Sequence, residues 1–275
     1  MLWPQTTATP EQPMIDPAYA DTLADWRAAR LADLAAEDGW LNLTDRLELT
    51  PGTHRVGSAA DNDLVLTAGP AHLGVLVLDD DGRASLRTEG GAALPFQPQP
   101  ETPARLRHAG LLLELHVVEG APALRVRDID APYRRNFNDL RYFPTNPAWC
   151  IRAAWQAFDA PQALAIDMVN GVASSVTLTH RAVFQHDGQR IDLLPTHLKQ
   201  GKPMFVFRDR TAGQETYAAS RFLFGEDASD GQITLDFNKA FNPPCAFTDH
   251  AICPLPPQQN ILPFRIEAGE LLPQL

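Results

Sequence analysis

The sequence predicts a mainly β protein: an N-terminal helix, a β-sandwich half, then a second antiparallel β half, barrel or sandwich, with a Pro-rich C-terminal wrap. Three observations predict it. Only one stretch carries a long apolar stripe at helical period. From Trp40 onward, short apolar runs alternate with Gly, Pro and Asp, which is the strand pattern. Asp-Gly and Asn-Gly pairs recur between those runs at hairpin spacing, not at the spacing of strand–helix–strand units.

The elements follow in order. Residues 1–15 are a Pro/Thr/Gln mixture without an apolar core, and the first basic residue is Arg27. They read as a flexible tail, and the protein reads as cytoplasmic, because a secretory leader needs a basic start followed by an apolar run. Residues 16–39 form the helix: Asp16 caps it, Pro17 suits its first position, and Gly39 follows its last turn. Advancing about 100° per residue, Tyr19, Leu23, Trp26, Arg30 and Leu34 share one stripe. Arg30 in that stripe either pairs with a carboxylate or snorkels to solvent.

Residues 40–130 carry the sandwich runs Leu64–Leu66, Leu73–Leu78, Leu111–Val118 and Leu124–Val126. His116 reads as a packed strand residue. A composition break near Asp128–Pro132 opens the second β half, 131–275. Its strands are Trp149–Phe158, Ala163–Val169, Val172–Phe184, Arg190–Leu194, Met204–Arg208, Thr216–Phe224 and Ile233–Asn238. Trp149, Ile151, Ala153, Trp155 and Ala157 fall on one face of the first of these. The turns are Asp81-Gly82, Asn170-Gly171, Asp187-Gly188 and Asp230-Gly231. The segment Asn242–Pro263 is too Pro-rich for a central strand and is expected to cover the second sheet.

The 275 residues hold 23 Lys+Arg against 34 Asp+Glu, a formal charge of −11. That sign argues against a nucleic-acid or anionic-membrane partner. No run approaches the ~18 apolar residues of a transmembrane helix. Three cysteines are no disulfide framework. Walker, dinucleotide, zinc-protease and serine-hydrolase motifs are absent from the sequence, so no cofactor or metal is expected. Arg134, Arg135 and Arg141, interleaved with aromatics, suggest a local anion or partner contact.

The candidate site lies between Arg208 and Asn260. Asp236 and Asn238 are two apart and share a strand face, as Tyr217 and Arg221 do at a spacing of four. Such a face is either solvated, the ordinary case in an antiparallel sheet, or lines a polar cavity. Lining one polar pocket beneath the Pro-rich segment, Tyr217, Arg221, Asn238 and Asn242 would hold a small polar or anionic ligand, with Asp236 pairing to Arg221. As an enzyme, the same pocket would use Asp209 or Asp236 as acid/base, or Cys245 with His250 as a thiol centre. An Asp at position 209 equally suits bonding the backbone of its own turn. Asp192 is a weaker carboxylate candidate. Cys245, His250 and Cys253 have the one metal-like spacing, against the alternative of buried thiols. His180 and His186 read as surface residues. A scaffold role for the sandwich half is the third reading. Oligomeric state is left open.

Two resemblances arise. Arg55-Val56-Gly57-Ser58, Asn62–Leu66 and His72 before Leu73–Leu78 resemble the core of a forkhead-associated sandwich. That family holds phosphothreonine with an Arg after the first Gly and a Ser three residues before the His. Ser58 and Gly69 stand there, so the resemblance implies the scaffold without phosphopeptide binding. The second resemblance runs from the opening helix to the C-terminus. It is carried by Asp25-Trp26-Arg27, Gly39-Trp40-Leu41, Arg141–Pro144, Asp192–Pro195, Phe207–Thr211, Thr216-Tyr217, Arg221–Leu223, Leu235–Asn238, Phe241–Cys245, Cys253–Pro257, Asn260 and Ala268-Gly269-Glu270. These resemble the bacterial and archaeal family known as domain of unknown function 1684, with Leu271 where that family more often has Lys. The resemblance implies no activity or site residue.

Overall fold

The structure, a computed structural model, describes residues 15–99, 102–118, 120–137, 139–171, 173–199 and 201–274. The predicted tail, through residue 14, lies outside them. The helix α1 spans Pro17–Ala35, and Asp16 Oδ1 accepts the Ala18 N–H at 2.9 Å, the expected cap. Leu23 and Leu34 of the predicted stripe are buried. The helix stops four residues before Gly39; Arg134 Nε donates to the Ala35 carbonyl at 2.6 Å and satisfies one of its terminal acceptors. Arg30 lies over the Phe247 ring, 5.8 Å from its centroid. No helix among the described residues is long and apolar enough to cross a membrane.

The chain divides into two compact units, and they do not follow chain order. Among the described residues, one comprises 29–140, 243–253 and 273–274; the other, called the C-terminal unit for its longest segment, comprises 15–28, 141–242 and 254–272. The first contains β1 Leu43–Glu48, β2 Gly52–Gly57, β3 Leu64–Val65, β4 Gly74–Leu78, β5 Ala84–Arg87, β6 Ala93–Pro95, β7 Gln97–Gln99, β8 Thr102–His108, β9 Leu111–Val118 and β10 Ala121–Asp128. They form two five-stranded sheets, β1-β10-β9-β8-β7 and β3-β2-β4-β5-β6. Leu113, Leu124 and Val126 of one sheet meet Val56, Leu76 and Leu86 of the other in a single apolar core. This is the predicted sandwich. A short helix, α2 Pro132–Asn136, follows it.

The second unit contains β11 Cys150–Asp167, β12 Ala173–His186, β13 Gln189–Leu193, β14 His197–Lys199, β15 Lys202–Phe207, β16 Arg221–Ser229 and β17 Gln232–Asp236. One seven-stranded antiparallel sheet results, in the order β13-β12-β11-β17-β16-β15-β14. Asp187-Gly188 and Asp230-Gly231 make its tight turns with both residues at positive φ, the geometry that Asp-Gly accommodates. Its core gathers Ala153, Phe205, Phe207, Leu235 and Phe237.

The sheet does not close into a barrel, which corrects one of the two predicted architectures. Its edge strands are β13 and β14, and no hydrogen-bonded ladder joins them. Pro195 lies between these two edge strands and has no N–H to donate to a ladder. Two predicted strands are shorter than expected. Thr216–Ser220 is loop, so Tyr217 is not on β16, and Asn238 belongs to a 3-10 helix, Phe237–Lys239, after β17 ends.

Candidate functional site

The predicted site residues do not share one pocket; the structure places them in separate, densely bonded clusters. Arg221 opens β16 opposite Phe207, the last residue of β15. Asp209 lies two residues beyond Phe207, and Arg221 Nη2 donates to its Oδ2 in a pair with both side chains buried. The same guanidinium donates to the Ala268 and Ile266 carbonyls, the latter at 3.0 Å, and lies 5.1 Å over the Phe207 ring. Burial pulls its pKa down, and Asp209 opposes that shift. The other Asp209 oxygen accepts the Thr211 N–H at 2.6 Å and its hydroxyl at 2.5 Å, so Asp209 does bond its own turn. Three of its acceptor positions are thus taken within the fold, two on one oxygen and one on the other.

The register partner of Asp236 is Cys150 on β11, and the expected Arg221–Asp236 pair is replaced by a different set of contacts. Tyr19 of α1 donates its hydroxyl to Asp236 Oδ1 and Oδ2 at 2.9 and 3.0 Å. The Asn238 backbone N–H and side-chain amide both donate to Oδ1 at 3.1 Å, which makes Asp236 the cap of the 3-10 helix. Asn238 also donates to Tyr19 Oη and the Asn146 carbonyl, and accepts the Asn146 N–H at 3.0 Å. Burial, then Asp236, pushes the Tyr19 hydroxyl well above its usual range. This cluster anchors α1. Tyr19→Phe removes its shared donor and will lower stability by about 1–2 kcal/mol in a denaturant titration; an unchanged midpoint would mean Asp236 is solvated.

The remaining candidates fall elsewhere. Asn242 donates its backbone N–H to Glu270 Oε2 at 2.7 Å and its amide to the Leu271 carbonyl at 2.8 Å. Tyr217 is half-buried in the loop before β16. The Cys245 N–H donates to Cys253 Sγ at 3.3 Å, and the Cys245 contact and burial push the Cys253 thiol far up, away from the thiolate a nucleophile needs. His250 donates its backbone N–H to Thr248 Oγ1 at 3.2 Å. Among the described residues, no three His, Cys, Asp or Glu side chains gather as metal ligands. Asp192 pairs with Arg181 and Arg190 at 3.1 and 2.8 Å. Arg134 is spent on carbonyls, Arg135 on Asp130 at 2.8 Å, and Arg141 on the Leu272 carbonyl at 3.0 Å.

Open space lies instead along β12. A groove of about 240 Å³ is lined by Trp155, Val176–His180, Pro195, His197, Leu198 and Pro203. Its cause is local. The β11–β12 register slips between Ala157↔His180 and Gln162↔Leu178, leaving extra β11 residues that include Pro161, and such a bulge bends the hairpin. Residues of β12 and β14 line the groove together without pairing to each other. Asn260, fully buried, ties the end of β13 to β15. Its Oδ1 accepts the Leu194 N–H, and its Nδ2 donates to the Leu194 and Val206 carbonyls, each at 2.8 Å.

The groove is mostly apolar with two imidazoles. His180 stacks on Trp155 with centroids 5.0 Å apart and planes 9° apart. Its Nδ1 is 3.0 Å from Thr179 Oγ1, and His197 Nδ1 is 3.2 Å from Thr196 Oγ1. Burial first, then Lys199, lowers the His197 pKa and favours its neutral form. His186 stacks on Trp149 in the same way, centroids 5.1 Å apart. Neither His180 nor His186 is therefore the plain surface residue expected. A signal was present: two Trp six apart, Trp149 just before β11 and Trp155 on it, meet two His six apart on β12 pairwise at one offset.

No curated protein matches the chain. The solution NMR structure of an uncharacterised protein from Haloarcula marismortui is 32% identical, covering 51% of this chain and 80% of that one, with a TM-score of 0.42. A family model described as protein of unknown function (DUF1684) matches residues 135–271. It takes in β11–β17, Arg221, Asp236 and Asn260, and leaves out 40–130, so it lends nothing to the forkhead-associated resemblance there. Residues 135–271 of this chain belong to that family of unknown function.

Proposed function

We propose that the C-terminal unit binds a small planar molecule in the groove beside Trp155, and that this is its function. One observation carries the reading: the stacked Trp155–His180 pair borders open space whose other wall holds His197. Ring faces and proline edges supply apolar contact, while the imidazoles and the Thr177 and Thr179 hydroxyls supply a few orienting hydrogen bonds, the usual make-up of a ligand site. The volume suits a molecule of one or two rings. The reading keeps the expected small-molecule partner but moves it away from Arg221 and Asp236, whose hydrogen bonds are already made.

Indole and indole-3-carboxylate are suitable probes. Titration of the full chain should move the His180 and His197 ring resonances in NMR spectra, and Trp155→Ala should weaken binding about tenfold, from the loss of one stacked aromatic. Resonances that stay still, or that shift equally in Trp155→Ala, would exclude the groove.

A further inference from the structure

The outer face of the β1-β10-β9-β8-β7 sheet carries an imbalance of charge. Register places Arg46 opposite Arg125, Arg125 opposite Glu114, and Glu114 opposite Arg105. Period 2 adds Arg127 and His116 to that face, while Leu113, Leu115, Leu124 and Val126 point into the sandwich. Glu114, 1% exposed, meets Arg127 Nε at 2.9 Å and Arg105 Nη2 at 3.0 Å, and Arg105 also reaches Asp38 at 2.9 Å. Those contacts balance two of the four guanidiniums.

Arg125 is not balanced. It is 8% exposed and lies 5.4 Å over the Trp40 ring, beside Arg127 at 5.3 Å. No ion pair reaches it, and its Nε is buried without an acceptor among the described residues. Among the described residues Arg46 meets only Glu48, at 3.9 Å, and the Glu48 side chain is 89% exposed. Arg46 Nε and His116 Nδ1 are likewise buried without partners. Burial and Arg127 pull the Arg125 pKa down to about 10, and burial, Arg125 and Arg46 pull that of His116 down to about 4. Buried cations ordinarily persist only when paired.

We propose that Arg46, Arg125 and His116 form a binding site for a phosphate-type oxyanion, reached past the partly exposed Arg46 and His116. Two unbalanced guanidiniums match a dianion, and the Arg fork bonds such oxygens in pairs. Trp40 holds the plane of Arg125, and Glu114 keeps Arg127 and Arg105 from competing for the ligand. The bound anion would also favour protonation of His116.

The test titrates the full chain with inorganic phosphate, using chloride at equal ionic strength as the control and glycerol phosphate as a second probe. Phosphate should raise the thermal midpoint and lift the His116 pKa, read by NMR, by about one unit or more. A stronger response to the ester would mean the group arrives esterified; a stronger response to the free ion would mean it does not, and both support the site. Arg125→Met should fold at least as stably without phosphate, since it removes an unpaired buried charge, while losing about tenfold or more in phosphate affinity. Arg46→Gln, a half-buried position, should show the same loss and decides the matter if Arg125→Met does not fold. Equal responses to phosphate and chloride, or an unaltered phosphate response in Arg46→Gln, would overturn the proposal.

Discussion

Arg221→Ala will destabilise the C-terminal unit by about 3–5 kcal/mol, the cost of leaving a buried carboxylate without its partner. Asp209 would keep only Thr211, and the Ala268 and Ile266 carbonyls would lose their donor. The stem of Arg221 also fills space beside Phe207, so truncation adds a packing loss. Chemical denaturation measures the effect. Replacing both partners together, Arg221→Met with Asp209→Leu, should recover most of the loss, because no charge is then stranded. A loss below about 1 kcal/mol in the single variant would mean the pair behaves like an exposed one. Binding of indole in the groove should be unchanged by the pair replacement, which separates a structural Arg221 from a ligand-holding one.

Asn260→Ala should cost about 3 kcal/mol, since it strands the Leu194 N–H and leaves two carbonyls without that donor, in a buried setting where each unmet group costs about 1–3 kcal/mol. Asn260→Asp is the sharper experiment. A carboxylate there still accepts from Leu194 but faces the Leu194 and Val206 carbonyls with no proton to offer. Its pKa will be raised in the folded state, so the folded form holds a proton that the unfolded form releases. Stability of that variant is greatest below the unfolded carboxyl pKa of about 4. It then falls as pH rises from there through the folded value. Denaturation midpoints of Asn260→Asp and the parent compared from pH 4 to 7 would show this, and parallel profiles would refute the clamp. Because Asn260 fastens the end of β13 to β15, the same variant should also loosen the groove and weaken indole binding.

Much of the architecture was legible because its signals are local. The α1 stripe, its Asp16 cap, the Asp-Gly turns and the period-2 face of Ile151, Ala153 and Trp155 each depend on residues a few positions apart; the predicted ends of that face, Trp149 and Ala157, fall in a 3-10 turn and at an exposed position. Strand ends were less legible. Thr216–Ser220 looks like the start of a strand, but Thr211 and Thr216 bond side chain to side chain at 2.9 Å and hold the chain in a loop. Asn238 follows a clean alternation, yet Asp236 caps a 3-10 turn that carries it off the strand. In both places a side chain offered the backbone an alternative to the ladder.

The amino-acid sequence by itself determined the mainly β class, the single opening helix and the hairpin turns, and it left open whether the polar face near the C-terminus is solvated or buried. It identified Arg221, Asp236, Asn238 and Asn242 as unusual, and all four are indeed at most 2% exposed. Tertiary structure alone decided their partners: Arg221 with Asp209 and the carbonyls of residues 266 and 268, Asp236 with Tyr19, more than two hundred residues away. It alone opened the groove and fastened it with Asn260. The physical reason is that periodicity reports which face a side chain occupies. What stands opposite that face depends on register and sheet curvature, which are settled by contacts between residues far apart in the chain.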